Sequence, residues 1–176
     1  NKLCLTKKYK IDVIDNLDSG YRDNLINSSK IKFFKGSILN KKFLRKFRNR
    51  NYTHIYHLAA CFANQNSIEH PKKDLRVNIE GTLNMLQVAR SQSTLKKFVY
   101  FSSSCIYGAK NSPMAESDTP NPDTPYAISK LAGEHYTNFF NHFYNLPTNN
   151  LRLFNIYGSN ERSGRYRNVI PNFINS

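Results

Sequence analysis

Residues 97–108 read KFVYFSSSCIYG, and residues 124–130, a short way downstream, read TPYAISK. The first stretch is an apolar run, Phe98, Val99, Tyr100 and Phe101, that stops abruptly at Ser102, Ser103 and Ser104. Such a run is the pattern of a strand buried on both faces in a parallel sheet, here delivering hydroxyls at its carboxyl end. The second stretch opens a helix. Thr124 suits the cap, Pro125 suits the first turn, and Tyr126 and Lys130 are spaced to share one face about a turn apart.

That spacing sets a phenol beside an ammonium. A tyrosine of ordinary pKa, about 10, is a poor base at neutral pH, and a fixed cation nearby favours its phenolate. A serine hydroxyl from the strand end holds a substrate hydroxyl from the other side, giving a Ser/Tyr/Lys arrangement that moves a proton while a hydride moves elsewhere. Taken alone, a bare Tyr-x-x-x-Lys fixes only two positions and reads more readily as an accidental helix pair.

Here the pair stands in a longer order: strand, hydroxyl cluster, Tyr107-Gly108, Glu116, a turn over residues 121–125, then the Tyr/Lys helix. This order resembles the extended short-chain dehydrogenase/reductase family, and within it the NAD-dependent nucleotide-sugar epimerases of the UDP-glucose 4-epimerase type. The resemblance runs over essentially the whole chain. It implies an α/β fold, a doubly wound parallel sheet of Rossmann type, in agreement with the alternation of strand-like and helix-like segments.

Taken in order, residues 1–10 read as the polar end of a helix and residues 11–15 (IDVID) as a strand with an acid at its carboxyl end. In a dinucleotide-binding fold such an acid takes the adenosine ribose hydroxyls, so Asp15 implies NAD rather than NADP. Asn16, Ser19 and Gly20 resemble the family's adenosine loop. Residues 31–35 form a second strand. Ser37 and Ile38 fall at the family's adenine contact, where Ser37 replaces the usual aspartate. Residues 41–50 read as a basic amphipathic helix with Phe43, Leu44 and Phe47 inward. Residues 53–58 form a third strand, and Leu58, Ala59 and Ala60 match the family's segment beside the pyrophosphate and nicotinamide ribose. His57, inside that strand, reads as structural.

Residues 61–69 read as a polar loop and 71–90 as one long helix with Val77, Leu83, Leu86 and Val88 on its apolar face. Asn78, Gly81 and Thr82 match the family's Asn-x-x-Gly-Thr, which puts Asn78 toward the cofactor, with a purely structural role the alternative. The Tyr/Lys helix runs to about residue 144 and presents Leu131, Phe139, Phe140 and Phe143 to the core. A last strand over residues 151–154 leads into Asn155. Arg152, Phe154, Asn155, Tyr157 and Gly158 match the family's Arg-x-Phe-Asn-x-Tyr-Gly, with Ser159 in place of a proline. The resemblance implies that Phe154 lies near the nicotinamide and that Asn155 binds the substrate phosphate.

The resemblance assigns proton removal to Tyr126, hydrogen bonding of the substrate to Ser103, and phenol tuning plus a ribose contact to Lys130. Hydride passes to NAD and back to the other face of the sugar, inverting C4. Related dehydratases and decarboxylases need an extra acid after the Ser/Thr, where this chain has Ser104 and Cys105. A 2-epimerase or a keto-sugar reductase stays open. So does a non-catalytic RNA-binding member of the family, against which the joint presence of Ser103, Tyr126 and Lys130 argues.

The chain has 176 residues, enough for one domain with a sizeable core. Its formal charge is +14, from 26 Lys and Arg against 12 Asp and Glu. The basic residues fall in short scattered groups, which reads as a solvated surface rather than a nucleic-acid site. No apolar run has the length of a membrane span, and Cys4, Cys61 and Cys105 follow no metal spacing, so the expectation is a cytoplasmic protein with reduced thiols, no metal and no membrane partner. The chain is expected to be a partial NAD-binding domain over residues 1–176, lacking a Gly-rich phosphate loop, with 165–176 beginning the segment that leads to a substrate lobe. The fragment is expected to be inactive alone, and the full-length protein to be a homodimer acting on a UDP-sugar.

Overall fold

A computed structural model describes residues 9–158, 160–166 and 169–174. The expectations for residues 1–8, Cys4 among them, and for Ser159 lie outside the described residues. Tyr9 and Lys10, at the end of the expected first helix, carry no helix.

Among the described residues five strands form: β1 Ile11–Asp15, β2 Ile31–Lys35, β3 His54–His57, β4 Lys97–Ser103 and β5 Thr148–Leu153. All pairings are parallel, β1 with β2, and β3 with β4 with β5. The helices between them are α1 Lys41–Leu44, α2 Asn64–Glu69, α3 Pro71–Leu75, α4 Gly81–Arg90 and α5 Pro125–Tyr144, and α6 Val169–Ile174 follows β5. Parallel strands require such crossovers, because no tight turn brings the chain back to the starting edge.

Leu44 and Phe47 beneath α1, Met85, Leu86, Val88 and Ala89 on α4, Phe98 and Tyr100 on β4, and Phe140 on α5 form one core cluster. Each large side chain removed from water there contributes about 1.5–3 kcal/mol. Phe34 and Phe47 meet edge to face with ring centroids 5.1 Å apart.

The described strands fall into two sheets, one of two strands and one of three. Between them lies a cleft of about 1650 Å³ lined by β1 and by β3 with the residues that follow it. Among the described residues, β1 and β3 each pair with a single strand, so each presents one open edge.

Five expectations are corrected. The basic helix over 41–50 stops at Leu44 and tightens into a 3₁₀ turn, Arg45–Phe47, followed by Asn49 in left-handed conformation, φ 53°. Residues 61–69 are not loop throughout, since Asn64–Glu69 is helical with Ser67 buried. The helix over 71–90 is interrupted by a π-helical stretch, Arg76–Glu80. The last strand begins earlier than expected, at Thr148, because pairing with Phe98 of β4 needs only backbone and admits polar side chains. Phe139 and Phe143 do not face the core. They are 42% and 65% exposed and pack on each other, ring centroids 4.7 Å apart, with Phe139 also edge to face against buried Phe140 at 5.8 Å.

Candidate active site

Strand β4 ends in Ser102 and Ser103, both buried. The chain then turns into a 3₁₀ segment, Ser104–Tyr107, capped by the Ser103 hydroxyl, which accepts from the Cys105 N–H at 3.2 Å. The start of α5 comes alongside. Thr124 caps it by accepting from Ala127 N–H at 3.2 Å, and Pro125 occupies its first turn. Helix α2 fixes this end in space: Ser67 Oγ accepts from the Tyr126 N–H at 3.0 Å and donates to the Asn64 carbonyl at 2.6 Å.

The Ser103 side chain faces Tyr126 and favours its phenolate. Burial outweighs that contact and, with a push from Cys105, moves the phenol up to about 12. Lys130 is 4% exposed. Its Nζ donates to the Phe101 carbonyl and lies 4.8 Å from the Tyr100 ring centroid and 6.0 Å from that of Tyr126. Burial lowers the amine to about 8, against the attraction of Asp74 and Glu134. The expectation that Lys130 depresses the Tyr126 phenol is thus not met. The amine is turned to a strand carbonyl, and desolvation dominates both groups.

The residues expected at the cofactor divide by position. Asp15, Asn16, Ser19 and Gly20 after β1, Ser37 and Ile38 after β2, and Leu58, Ala59 and Ala60 after β3 all line the cleft between the two sheets. Gly20 approaches Asp15 so closely that a Cβ there would sit 2.9 Å from Asp15 Oδ2. The Asp15 carboxylate accepts the Leu17 N–H at 2.6 Å, which holds it at the strand end facing this cleft. An acid at the carboxyl end of a parallel strand, against a glycine loop, is a fitting receptor for a ribose diol.

Asn78 lies elsewhere, 1% exposed. Its Oδ1 accepts the Cys61 N–H at 2.8 Å, and its Nδ2 donates to the Cys61 carbonyl, Asp74 Oδ2 and Ser129 Oγ at 3.0, 2.7 and 3.0 Å. It therefore pins the segment after β3 from behind. Phe154 and Asn155 follow β5, both exposed, and neither lines the cleft. His57 is buried with Nε2 2.9 Å from Thr82 Oγ1, and burial lowers it to about 3, which suits a structural imidazole.

Sequence reading missed Ser67, Asp74 and Glu134, three buried polar side chains that surround the Tyr126/Lys130 turn. Asp74 and Asn78 are spaced like Tyr126 and Lys130, one helical turn apart, which was the available signal. Among the described residues no cluster of His, Cys, Asp and Glu has the makings of a metal site, and no helix is long and apolar enough to cross a membrane.

A parallel sheet with flanking helices and an acid at the end of β1 define a dinucleotide-binding fold, with Ser103, Tyr126 and Lys130 gathered at the carboxyl end of β4. The chain belongs to the NAD dependent epimerase/dehydratase family, whose model matches residues 2–176. It is similar to the solved structure of an epimerase from Methanothermobacter thermautotrophicus, at 41% identity and a TM-score of 0.92 over 99% of this chain and 53% of that one. A UDP-glucose 4-epimerase from Thermotoga maritima, solved with UDP-glucose, is 30% identical with a TM-score of 0.89, covering 98% of this chain and 56% of that one. UDP-glucuronate 4-epimerase 1 of Arabidopsis thaliana is 34% identical over 155 residues, 82% of this chain and 36% of that protein. The chain spans between about a third and just over half of the length of such relatives.

Proposed function

We propose that this chain is the cofactor-binding portion of an NAD-dependent nucleotide-sugar epimerase that inverts C4 of a UDP-sugar. The observation that carries the reading is the Ser103 side chain set against Tyr126, with Lys130 one turn along α5, beside a cleft lined by Asp15. The similarity to 4-epimerases of UDP-glucose and UDP-glucuronate supports both the nucleotide and the carbon.

Asp15 holds the adenosine ribose, and the small Ala59 and Ala60 let the pyrophosphate side of the cofactor approach the backbone. NAD supplies the acceptor and then the donor of the hydride. Ser103 holds the C4 hydroxyl by a hydrogen bond, and Tyr126 takes its proton and later returns one. Lys130 places positive charge near the phenol as that proton moves, and Asn155 reaches the substrate phosphate. Ser104 and Cys105 carry no carboxyl group, which favours epimerisation over dehydration or decarboxylation. The whole protein acts in the cytoplasm, and the exposed Phe139 and Phe143 of α5 offer the surface for a second copy.

The test is incubation of the whole protein with UDP-glucose or UDP-glucuronate and NAD, with chromatographic detection of the C4 epimer. Tyr126→Phe is expected to lower kcat about 10²–10⁴-fold. Wild-type protein that binds NAD and epimerises neither sugar would overturn the reading.

A further inference from the structure

Past β5 the chain returns to the cleft between the two sheets, where Asn160, Glu161 and Arg162 join the lining beside Ser19, Gly20 and Tyr21 of the loop after β1. The Arg162 guanidinium lies over the Tyr21 ring, 3.9 Å from its centroid, and its Nη2 is 3.5 Å from Asp23 Oδ2. A cation so placed is attracted by the ring quadrupole as well as by the carboxylate. Arg162 and Asp23 are 139 positions apart in the chain, so this contact is made by the fold and not by local sequence.

The far end of the same segment is joined to α2. Tyr166 donates its hydroxyl to Glu69 Oε2 at 2.7 Å, and Arg165 Nη2 lies 3.1 Å from that oxygen. Gln65, one turn earlier in α2, donates to Glu69 Oε1 at 3.1 Å. Midway, Asn172 of α6 accepts the Gly164 N–H at 2.9 Å and donates to the Gly164 carbonyl at 3.2 Å. Residues 160–166 thus run from the loop after β1 to the helix after β3, held at both ends and between. Glu69, Arg165 and Tyr166 stand outside the cleft lining. Lys73 of α3 ties the same two sides directly, donating to Asp18 Oδ2 at 2.8 Å.

The cleft of about 1650 Å³ exceeds the about 300–1,000 Å³ of an ordinary ligand site, so its walls alone leave a dinucleotide free to exchange. We propose that residues 160–166 are a strap that closes over a dinucleotide in this cleft and sets its release rate, with Arg162 on Tyr21 and Asp23 as the clasp and Glu69 as the anchor; this rests on the reading that the cleft holds NAD. A closure of this kind has to open for each exchange. The clasp suits that duty, because ion pairs and cation–π contacts are weak where water reaches them, and the Arg162 and Asp23 side chains are 49% and 83% exposed.

The experiment loads the whole protein with NADH and follows its fluorescence as excess NAD displaces it, association being followed separately by stopped-flow mixing. Arg162→Ala removes the clasp and is expected to speed release about 5–30-fold without slowing association. Arg162→Lys, which keeps a charge for Asp23 and loses the planar group over Tyr21, is expected to fall between that variant and wild type. The double variant Arg165→Ala with Tyr166→Phe loosens the anchor outside the cleft and should also speed release. Fast release from Arg162→Ala with the double variant at the wild-type rate would make Arg162 a plain cofactor contact and overturn the strap. Slower association with unchanged release would make it a steering charge and overturn the strap as well. Wild-type protein that takes up no NADH sinks the cofactor reading and the strap with it, whereas NADH bound and released at one rate from every variant sinks the strap alone.

Discussion

Arg152 of β5 closes on Glu134 of α5 with two nitrogens, Nε at 3.1 Å and Nη2 at 3.0 Å, and the Glu134 side chain is 4% exposed. The same guanidinium reaches the Tyr107 hydroxyl at 2.7 Å and the Glu116 carbonyl at 2.8 Å through Nη1. One side chain thus ties the last strand, the Tyr/Lys helix and the loop after β4 together. Arg152→Ala leaves a buried carboxylate without its cation and is expected to cost about 3–5 kcal/mol in chemical denaturation of the whole protein. Arg152→Ala with Glu134→Gln should cost less than the single change, since no charge is then stranded. A single variant within error of wild type would show the pair to be solvated.

Lys130 gives a pH signature. Its amine falls from 10.5 to about 8 on folding, so the unfolded chain binds the proton more tightly. The ammonium form is therefore a penalty on folding that is complete below about 8 and fades as pH rises toward 10.5. Lys130→Met removes this penalty, along with a pH-independent hydrogen bond to Phe101. The stability difference between variant and wild type should favour the variant most at neutral pH and move steadily toward wild type up to pH 10.5. A difference that is flat or grows with pH would contradict the burial of this amine.

Gly133 of α5 lies against Tyr100, and a Cβ there would come within 2.1 Å of the Tyr100 hydroxyl and 2.4 Å of Cζ. Tyr100 is a fully buried ring whose hydroxyl donates to the Lys130 carbonyl at 3.3 Å. Gly133→Ala is expected to destabilise by about 1–3 kcal/mol through overpacking. An unchanged thermal midpoint would show that the ring yields without cost.

Asp15 is predicted to set cofactor choice. A carboxylate that accepts ribose hydroxyls contributes about 1.5–3 kcal/mol as hydrogen bonds to a charged group, so Asp15→Ala should weaken NAD about 10–100-fold by calorimetry on the whole protein. Wild-type protein that binds NADP as tightly as NAD would remove Asp15 from this role.

A polypeptide limited to these 176 residues is predicted to aggregate and to bind NAD poorly. The reason is the cleft of about 1650 Å³, which β1 and β3 line while each, among the described residues, pairs with a single strand and leaves one edge open. Unpaired strand edges recruit other chains, and buried amides without partners are costly. A soluble, cooperatively melting product with micromolar NAD affinity would disprove the prediction.

The parallel strands and the Tyr/Lys helix were legible in the sequence because they depend on neighbours in the chain. The apolar run before Ser102, the Thr124 cap, the Pro125 first turn and the four-residue step from Tyr126 to Lys130 are local patterns with local causes. The acid closing β1 and the small residues after β3 were readable for the same reason, and both line the cleft. Helix faces were not so readable. Phe139 and Phe143 look like core residues from composition, yet only Phe140 is turned inward, because which stripe of α5 is covered depends on β4 and α4. What tertiary structure alone decided was charge. The phenol of Tyr126 is raised rather than lowered, and Asp74 and Glu134 come to flank Lys130, because desolvation and the meeting of distant segments set ionisation. Neither is written in residue spacing.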